Sequence, residues 1–289
     1  MKAVFLKELT QFFKTPVGYV YMAVTLFILG LLFTLQSLFT FSADLPAFLG
    51  SAQLVFFFTS PLLTMRLFTE ERRSKTEQLL YTAPVRMADI VMGKALAAFV
   101  PFAVSLAVIL SCFLVVGIFG FPDWPRTWGA FIGYVLLGSV FICLGTYVSA
   151  VTESQITAAI MTFALIFGFW ILPALTALLP NSRLSGLLFV LLLALAAAGW
   201  LIRTTLVIKA GIIFFISCLA VIFIVLGVHD QAFDGFLPRF LNAVSLSSRY
   251  DNFLRGIIRP GDLVYYISFG GFFLYLTVWQ LEKRRWSGE

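Results

Sequence analysis

Charge is what this chain has least of. Only 20 basic and 14 acidic side chains occur among 289 residues, 12% in all, against 61% hydrophobic residues. A soluble domain carries about 25% charged and about 45–50% apolar residues. So little polar surface excludes a soluble enzyme, a disordered chain or a secreted disulfide scaffold. Cysteine is scarce too. Cys112, Cys143 and Cys218 each fall inside an apolar run, where they read as small hydrophobic residues and offer no disulfide framework or metal spacing. The one histidine, His229, excludes a His-pair zinc protease, and no Ser–His–Asp set gathers at one membrane depth. No Gly-x-x-x-x-Gly-Lys-Ser/Thr loop occurs, so the chain does not hydrolyse ATP by itself. The alternating short strands of an outer-membrane barrel are also missing.

What the chain has is long apolar runs. A helix needs about 17–25 apolar residues to cross the hydrocarbon core, and a charge at mid-bilayer costs about 2.5–3.5 kcal/mol on insertion scales. Charge-free runs of that length lie at 15–43, 45–65, 95–122, 127–152, 154–182, 184–202, 210–229 and 263–281. The expected fold is therefore an all-α polytopic membrane protein, one transmembrane domain over 1–289 with about eight spans. If the hairpin 184–229 is re-entrant, six spans remain and the sidedness is unchanged. An even count puts both ends on one side. That side collects fourteen basic residues, including Lys2, Lys7, Lys14, Arg66, Arg72, Arg73, Lys75, Arg86 and Lys94, against six on the other, Arg126, Arg183, Arg239, Arg249, Arg255 and Arg259. Basic residues favour the cytoplasmic side, so both termini are expected there. The first apolar run is too long for a cleaved signal and reads as an uncleaved anchor. The net charge of +6 is accounted for by this asymmetry, and no nucleic-acid partner is implied.

Three stretches outside the spans carry information. Residues 1–16 read as an interfacial helix, with Phe5, Leu9, Phe12 and Phe13 on one face, Lys7, Gln11 and Lys14 elsewhere, and Pro16 at its end. The cytoplasmic loop 66–94 has no apolar residue from Thr69 to Gln78. A helix polar on all sides is not held by lipid; it is solvated or gripped by a partner, and the residues leave both readings open. Arg73 and Glu77 stand four apart, Leu79, Leu80 and Tyr81 offer a small apolar anchor, and Pro84 stops the helix. Between the last two runs lies the external segment 230–262, where Tyr250, Phe253, Leu254, Ile257 and Ile258 share a helical face and Ser248 is the expected N-cap. It packs on the surface or caps a cavity. At the turn after the fourth run, Glu153 and Gln155 read as helix-capping residues rather than solute ligands.

The run Arg66-x-x-x-Glu70-Glu71-Arg72-Arg73-Ser74-x-Thr76-x-Gln78-Leu79-Leu80-x-x-x-Pro84-Val85 resembles the cytoplasmic motif of type-two ABC exporter permeases, nearest to the gliding-motility (GldF-like) branch. That branch has a Thr-Glu-Asn/Ser-Gln-Ile turn, matched at Thr152–Ile156, and a stretch before the last span matched at Ser245–Gly256 with Phe253, Arg255 and Gly256 retained. Lys7-Glu8-Leu9 and the closing Leu281-Glu282-x-Arg284-Arg285-Trp286 match as well. Such permeases have six spans, so 184–229 is expected to be an additional hairpin on the family core. The resemblance implies a permease of the bacterial cytoplasmic membrane that pairs with a second permease, identical or related, and docks two ATPase subunits. An accessory membrane or periplasmic subunit and membrane lipids complete the expected partners. No cofactor belongs to this chain; ATP and Mg sit on the ATPase. The helix 69–82 becomes the coupling element, with Glu70, Glu71, Arg72, Arg73, Thr76 and Glu77 bonding in an ATPase cleft and Leu79, Leu80 and Pro84 closing the joint. The cargo is open, and the Phe-rich spans suit a lipid-like or amphipathic one. Two other readings stand beside it: a scaffold that docks an ATPase for mechanical or regulatory work, and a membrane-embedded lipid-modifying enzyme. The latter needs a polar cluster at one depth, which the sequence lacks.

Overall fold

The computed structural model describes residues 1–77, 85–179, 183–205, 214, 217 and 235–287. Among them every regular element is helical. Two compact units are formed, one by Met1–Phe169 with Arg249–Glu289 and the other by Trp170–Ser248.

In the first unit, α1 (Lys2–Lys14) and α2 (Pro16–Phe33) meet at Thr15, whose backbone is extended (φ −102°, ψ 152°). Pro16 forces this corner, because a residue preceding proline avoids the helical region while proline suits a first turn. The corner is tight. A Cβ on Gly18 would stand 2.0 Å from the Phe12 carbonyl oxygen, so no larger residue fits there. Helix α2 continues as a π-helical turn over Thr34–Leu38. Next come α3 (Leu45–Ala52) and α4 (Val55–Thr64), bent by 49° at the break between them. The Asp44 carboxylate accepts the Ala47 N–H at 3.3 Å and caps α3. The short α5 (Thr69–Arg73) follows, then α6 (Met87–Phe119) and α7 (Trp124–Val151), the latter capped by Asp123.

After a turn comes α8 (Gln155–Leu178), whose first part belongs to this unit. Near the end of the chain lie α11 (Leu246–Leu254) and α12 (Pro260–Ser287), named here ahead of the second unit's α9 (Arg183–Thr205) and α10 (Phe236–Val244). In the second unit, Phe189 and Phe240 pack with ring centroids 5.4 Å apart, and Thr176 donates to Asn242 at 3.4 Å.

Five of the eight apolar runs are helices long and apolar enough to cross a membrane, Pro16–Leu38, Met87–Phe119, Trp124–Val151, Gln155–Thr176 and Pro260–Arg285, and the bent α3–α4 pair makes a sixth if it is one span. The run 184–202 lies within α9. Apart from Phe214 and Ser217, the run 210–229 lies outside the described residues.

Helix α7 is the centre of the first unit. Two thirds of its apolar window (67%) is buried, against 17–33% in the other four unbroken spans. Glycines make this possible by letting neighbours reach its backbone. A Cβ on Gly145 would sit 2.2 Å from Thr64 Oγ1 of α4, one on Gly138 would strike the Phe102 and Phe56 rings, and one on Gly133 would meet Phe253 at 2.6 Å. The break between α3 and α4 is served from outside the pair. The Tyr250 hydroxyl donates to the Leu49 carbonyl at 3.0 Å, meeting the rule that backbone groups freed in a membrane helix find another partner.

Candidate functional site

Helix α5 begins one turn beyond α4 and is only five residues long. The sequence pattern favours helix over 69–82, but the backbone stops at Arg73. The Thr76 N–H bonds the Glu71 carbonyl at 3.0 Å and the Lys75 N–H the Arg72 carbonyl at 3.1 Å, while Lys75 takes a left-handed φ of 57°. This is a Schellman stop with lysine in the place usually held by glycine. The early stop changes the pairing. Glu77 is no longer one turn from Arg73, and its carboxylate instead accepts from Arg72 Nε at 3.2 Å. Leu79, Leu80 and Pro84 lie outside the described residues.

Two adjacent side chains of α5 reach in different directions. Glu71 is buried and stands 3.0 Å from Lys94 Nζ of α6 and 2.9 Å from Lys7 Nζ of α1. Lys94 is wholly buried although it lies in the second turn of an apolar helix. It donates to Glu8 of α1 at 2.8 Å and to the Leu67 carbonyl, with the Phe68 ring centroid 5.0 Å away. Two hydrogen bonds and the ion pair with Glu71 together offset the desolvation of a buried ammonium. Burial pushes the Glu71 carboxyl up, but Lys94 and Lys7 outweigh it and hold the group below the ordinary value of 4.5. Burial lowers the Lys7 ammonium, yet the hydrogen bond and field of Glu71 carry it above 10.5.

Arg72 turns toward α7. Its Nη2 donates to the Ala150 carbonyl at 2.8 Å and its Nη1 to that of Thr152. The Phe68 N–H bonds Ser149 Oγ at 3.1 Å, fixing the approach to α5 against the same helix end. Glu70 is gripped by Arg66 through two bonds of 2.6 and 3.0 Å, and Arg66 also donates to Thr15 at the α1–α2 corner at 3.1 Å. All three carboxylates of the segment are therefore held by arginines or lysines of this chain. The outward edge is different. Arg73, Ser74, Lys75 and Thr76 are exposed.

Arg73 of that edge, with Thr69, Arg72 and Glu77, lines one side of an open basin of about 790 Å³, with Glu153, Ser154, Gln155 and Ile156 on another and Arg284 of α12. The basin brings together the predicted residues of the first cytoplasmic segment and of the turn before α8. Glu153 is exposed and Gln155 half-buried there, and Ile156, 73% exposed, is an apolar side chain on polar ground.

The predicted external residues lie elsewhere. Helix α7 has 28 residues, about 42 Å; its last carbonyls meet Arg72, whereas its first turn meets α11. There Arg126 Nε donates to the Leu254 carbonyl at 2.8 Å. Tyr250 and Phe253 are fully buried, and Arg255 and Gly256 are exposed. The expected apolar face through Ile257 and Ile258 is cut short, because α11 ends at Leu254. The Ile257 N–H bonds the Asn252 carbonyl and the Gly256 N–H that of Phe253, both at 2.9 Å, and Gly256 has φ +78°. The retained glycine is this stop. The N-cap is Ser245, whose hydroxyl accepts the Ser248 N–H at 3.2 Å, rather than Ser248.

Sequence reasoning gave no site role to Lys94, Glu8, Ser149, Arg66 or Arg284, although Glu8, Arg66 and Arg284 stand in the matched motifs. Lys94 carried a signal: a single ammonium between Ile90 and Ala95 inside an apolar stretch needs a buried partner. Ser149 carried none.

No curated protein matches the chain. The family model described as ABC-2 family transporter protein matches residues 3–189, more than half of the 289 residues, from the second residue of α1 through α8. Membrane domains of this family are transport subunits without an ATPase of their own, and they work with an ABC ATPase subunit. The chain belongs to the ABC-2 family of transporter proteins, as a multi-pass permease.

Proposed function

We propose that this permease couples ATP hydrolysis on two copies of a separate ATPase subunit to export of a lipid-like or amphipathic substrate, as one half of a permease pair in a bacterial cytoplasmic membrane. The observation that carries the reading is the division of labour in α5. Glu71 and Arg72 fasten it to α1, α6 and α7, while Arg73 lines the basin and Ser74, Lys75 and Thr76 after it are exposed. A push on that edge reaches several spans at once, because the segment has no slack of its own.

ATP and Mg bind on the ATPase, and the docking joint is the basin: Arg73 and Lys75 for acidic groups, Glu153 for a basic one, Ile156 for an apolar contact. Leu79, Leu80 and Pro84 extend this joint. The pairing face is the apolar side of α4 and α8, where Phe57, Phe58, Met65, Ile160 and Phe163 border an open cavity of about 310 Å³. Ile160 and Phe58 are 63% and 60% exposed there, a lining suited to acyl chains and unsuited to a hydrated ion. The gliding-motility branch supplies the finer assignment.

The test is co-purification with the cognate ATPase after charge reversal at exposed positions only, Arg73→Glu with Lys75→Glu, and Glu153→Arg. Each is expected to cut the ATPase recovered at least tenfold while the permease still elutes as a folded species. Full recovery in all of them would remove the docking role from the basin.

A further inference from the structure

Three consecutive carbonyls at the end of α7 are held by two arginines from elements far apart in sequence. Arg72, just after α4, takes those of Ala150 and Thr152. Arg284, in the last turn of α12, takes the Val151 carbonyl between them at 3.0 Å. The last carbonyls of a helix have no partner within it and carry the negative end of its dipole. Two interleaved guanidinium groups satisfy them here, and a guanidinium presents its donors in a fixed fork. Helix α5, the turn before α8 and the end of α12 are thereby joined through one set of backbone atoms.

The packing along α7 makes the joint consequential. Helix α12 touches α7 at Gly270, where a Cβ would stand in ordinary van der Waals contact with Cys143 Sγ at 3.6 Å and Val140 Cγ2 at 3.8 Å. At the far end Arg126 ties α7 to α11. Helices α7 and α12 therefore shift together or lose buried contacts. Ion pairs at Glu71 carry displacement of α5 into α1 and α6.

We propose that Arg72 and Arg284 are positioning residues, a clip on the last three carbonyls of α7 that makes α12 follow α5 when the ATPase pushes. The inference rests on the docking reading given under Proposed function. It adds a second transmission path, separate from the one through Lys94, and assigns it to backbone capping instead of an ion pair.

The experiment uses the permease with its cognate ATPase in nanodiscs, with the native cysteines replaced and a spin label at one of two exposed sites. Ala88→Cys on α6 reports the Lys94 path, and Glu282→Cys on α12 reports the clip. Distances between equivalent labels are read with and without ATP in a hydrolysis-deficient ATPase. In the parent, both distances change on adding nucleotide. In Arg72→Ala/Arg284→Ala, read on the ATPase-bound fraction because both arginines line the basin, the Ala88 change persists and at least half of the Glu282 change is lost. Arg284→Lys keeps a donor for the single Val151 carbonyl and restores most of that change. If the double variant does not fold, Arg284→Ala alone is compared with Arg284→Lys, and the same loss and rescue are expected. An undiminished Glu282 change with the ATPase bound overturns the clip. Complete loss of association in the double variant also overturns it, by placing these arginines in the docking joint itself. Failure of the parent to bind the ATPase, or of its Glu282 distance to change, fells the docking reading and the inference together.

Discussion

Lys94 of α6 and Glu71 of α5 stand 3.0 Å apart, with the lysine wholly buried, so the polar segment after the second span hangs from the third. Glu8 shares the same ammonium at 2.8 Å. Removing Lys94 leaves two buried carboxylates with only the more exposed Lys7 as counter-charge, and breaking a buried ion pair from one side costs about 3–5 kcal/mol. Lys94→Ala should lower stability by that amount in thermal unfolding of the detergent-solubilised permease. Lys94→Met with Glu71→Leu and Glu8→Leu should recover most of it, because packed apolar residues often replace a buried ionic cluster at little cost. A triple variant no better than Lys94→Ala would show that the ions are not what the single change disturbs.

The attachment of α1 to α5 should depend on pH at both extremes. Glu71 titrates below its ordinary 4.5, so its stabilisation is complete above that value and is lost as pH falls through the lowered folded-state value. Lys7 titrates above 10.5, so its stabilisation is complete below that value and is lost as pH rises through the raised one. The tie should be constant from about pH 5 to about pH 10. A fluorophore at Lys2→Cys reads it, and Glu71→Gln should abolish the acidic limb and weaken the tie across the plateau, because the Lys7–Glu71 pair is lost. An acidic limb unchanged by that substitution would assign the titration to another group.

Lys75 holds a left-handed backbone at the end of α5 without being glycine. That conformation costs an ordinary residue about 1–2 kcal/mol, partly offset in a glycine variant by the entropy of its freer unfolded chain. Lys75→Gly should therefore stabilise the segment by about 0.5–1 kcal/mol, read by amide hydrogen exchange at Thr76. Faster exchange would contradict the stop described here.

Gly145 lets α4 lie against α7, where an added Cβ would stand 2.2 Å from Thr64 Oγ1 and 2.8 Å from Thr64 Cβ. Gly145→Ala forces the two helices apart and should cost about 1–3 kcal/mol, the usual range for overpacking. Thr64→Ala in the same chain removes the nearest atom and should return part of that loss. Unfolding in detergent measures both, and no rescue would mean that the helices do not meet at these residues.

The spans were legible in the sequence because lipid forbids charge, and five of the charge-free runs, or six with the bent pair as one span, are helices long and apolar enough to cross a membrane. Element ends were less so. The stop after Arg73 depends on lysine accepting a conformation that composition assigns to glycine, and the stop at Gly256 became clear only as a hydrogen-bond pattern. The importance of residues 69–77 was visible from their polarity, but the facing of each side chain was not. Adjacent residues of a helix point about 100° apart, and only the neighbouring helices decide which of Glu71, Arg72 and Arg73 is buried. The partners that decide it, Lys7, Glu8, Lys94 and Thr152, come from three other parts of the chain. Helix α5 thus differs from the solvated or partner-gripped helix its composition suggests: its inner face is gripped by this chain itself, and its outer edge is left to solvent.

A photo-crosslinking residue at position 73, in the permease co-expressed with its cognate ATPase, tests the central claim most directly. The account predicts an adduct with the ATPase, and none when the same group is placed at Phe121 on the far side of the membrane. Reaction at position 73 with lipid alone, or labelling of that position by an impermeant reagent applied outside the cell, would contradict it.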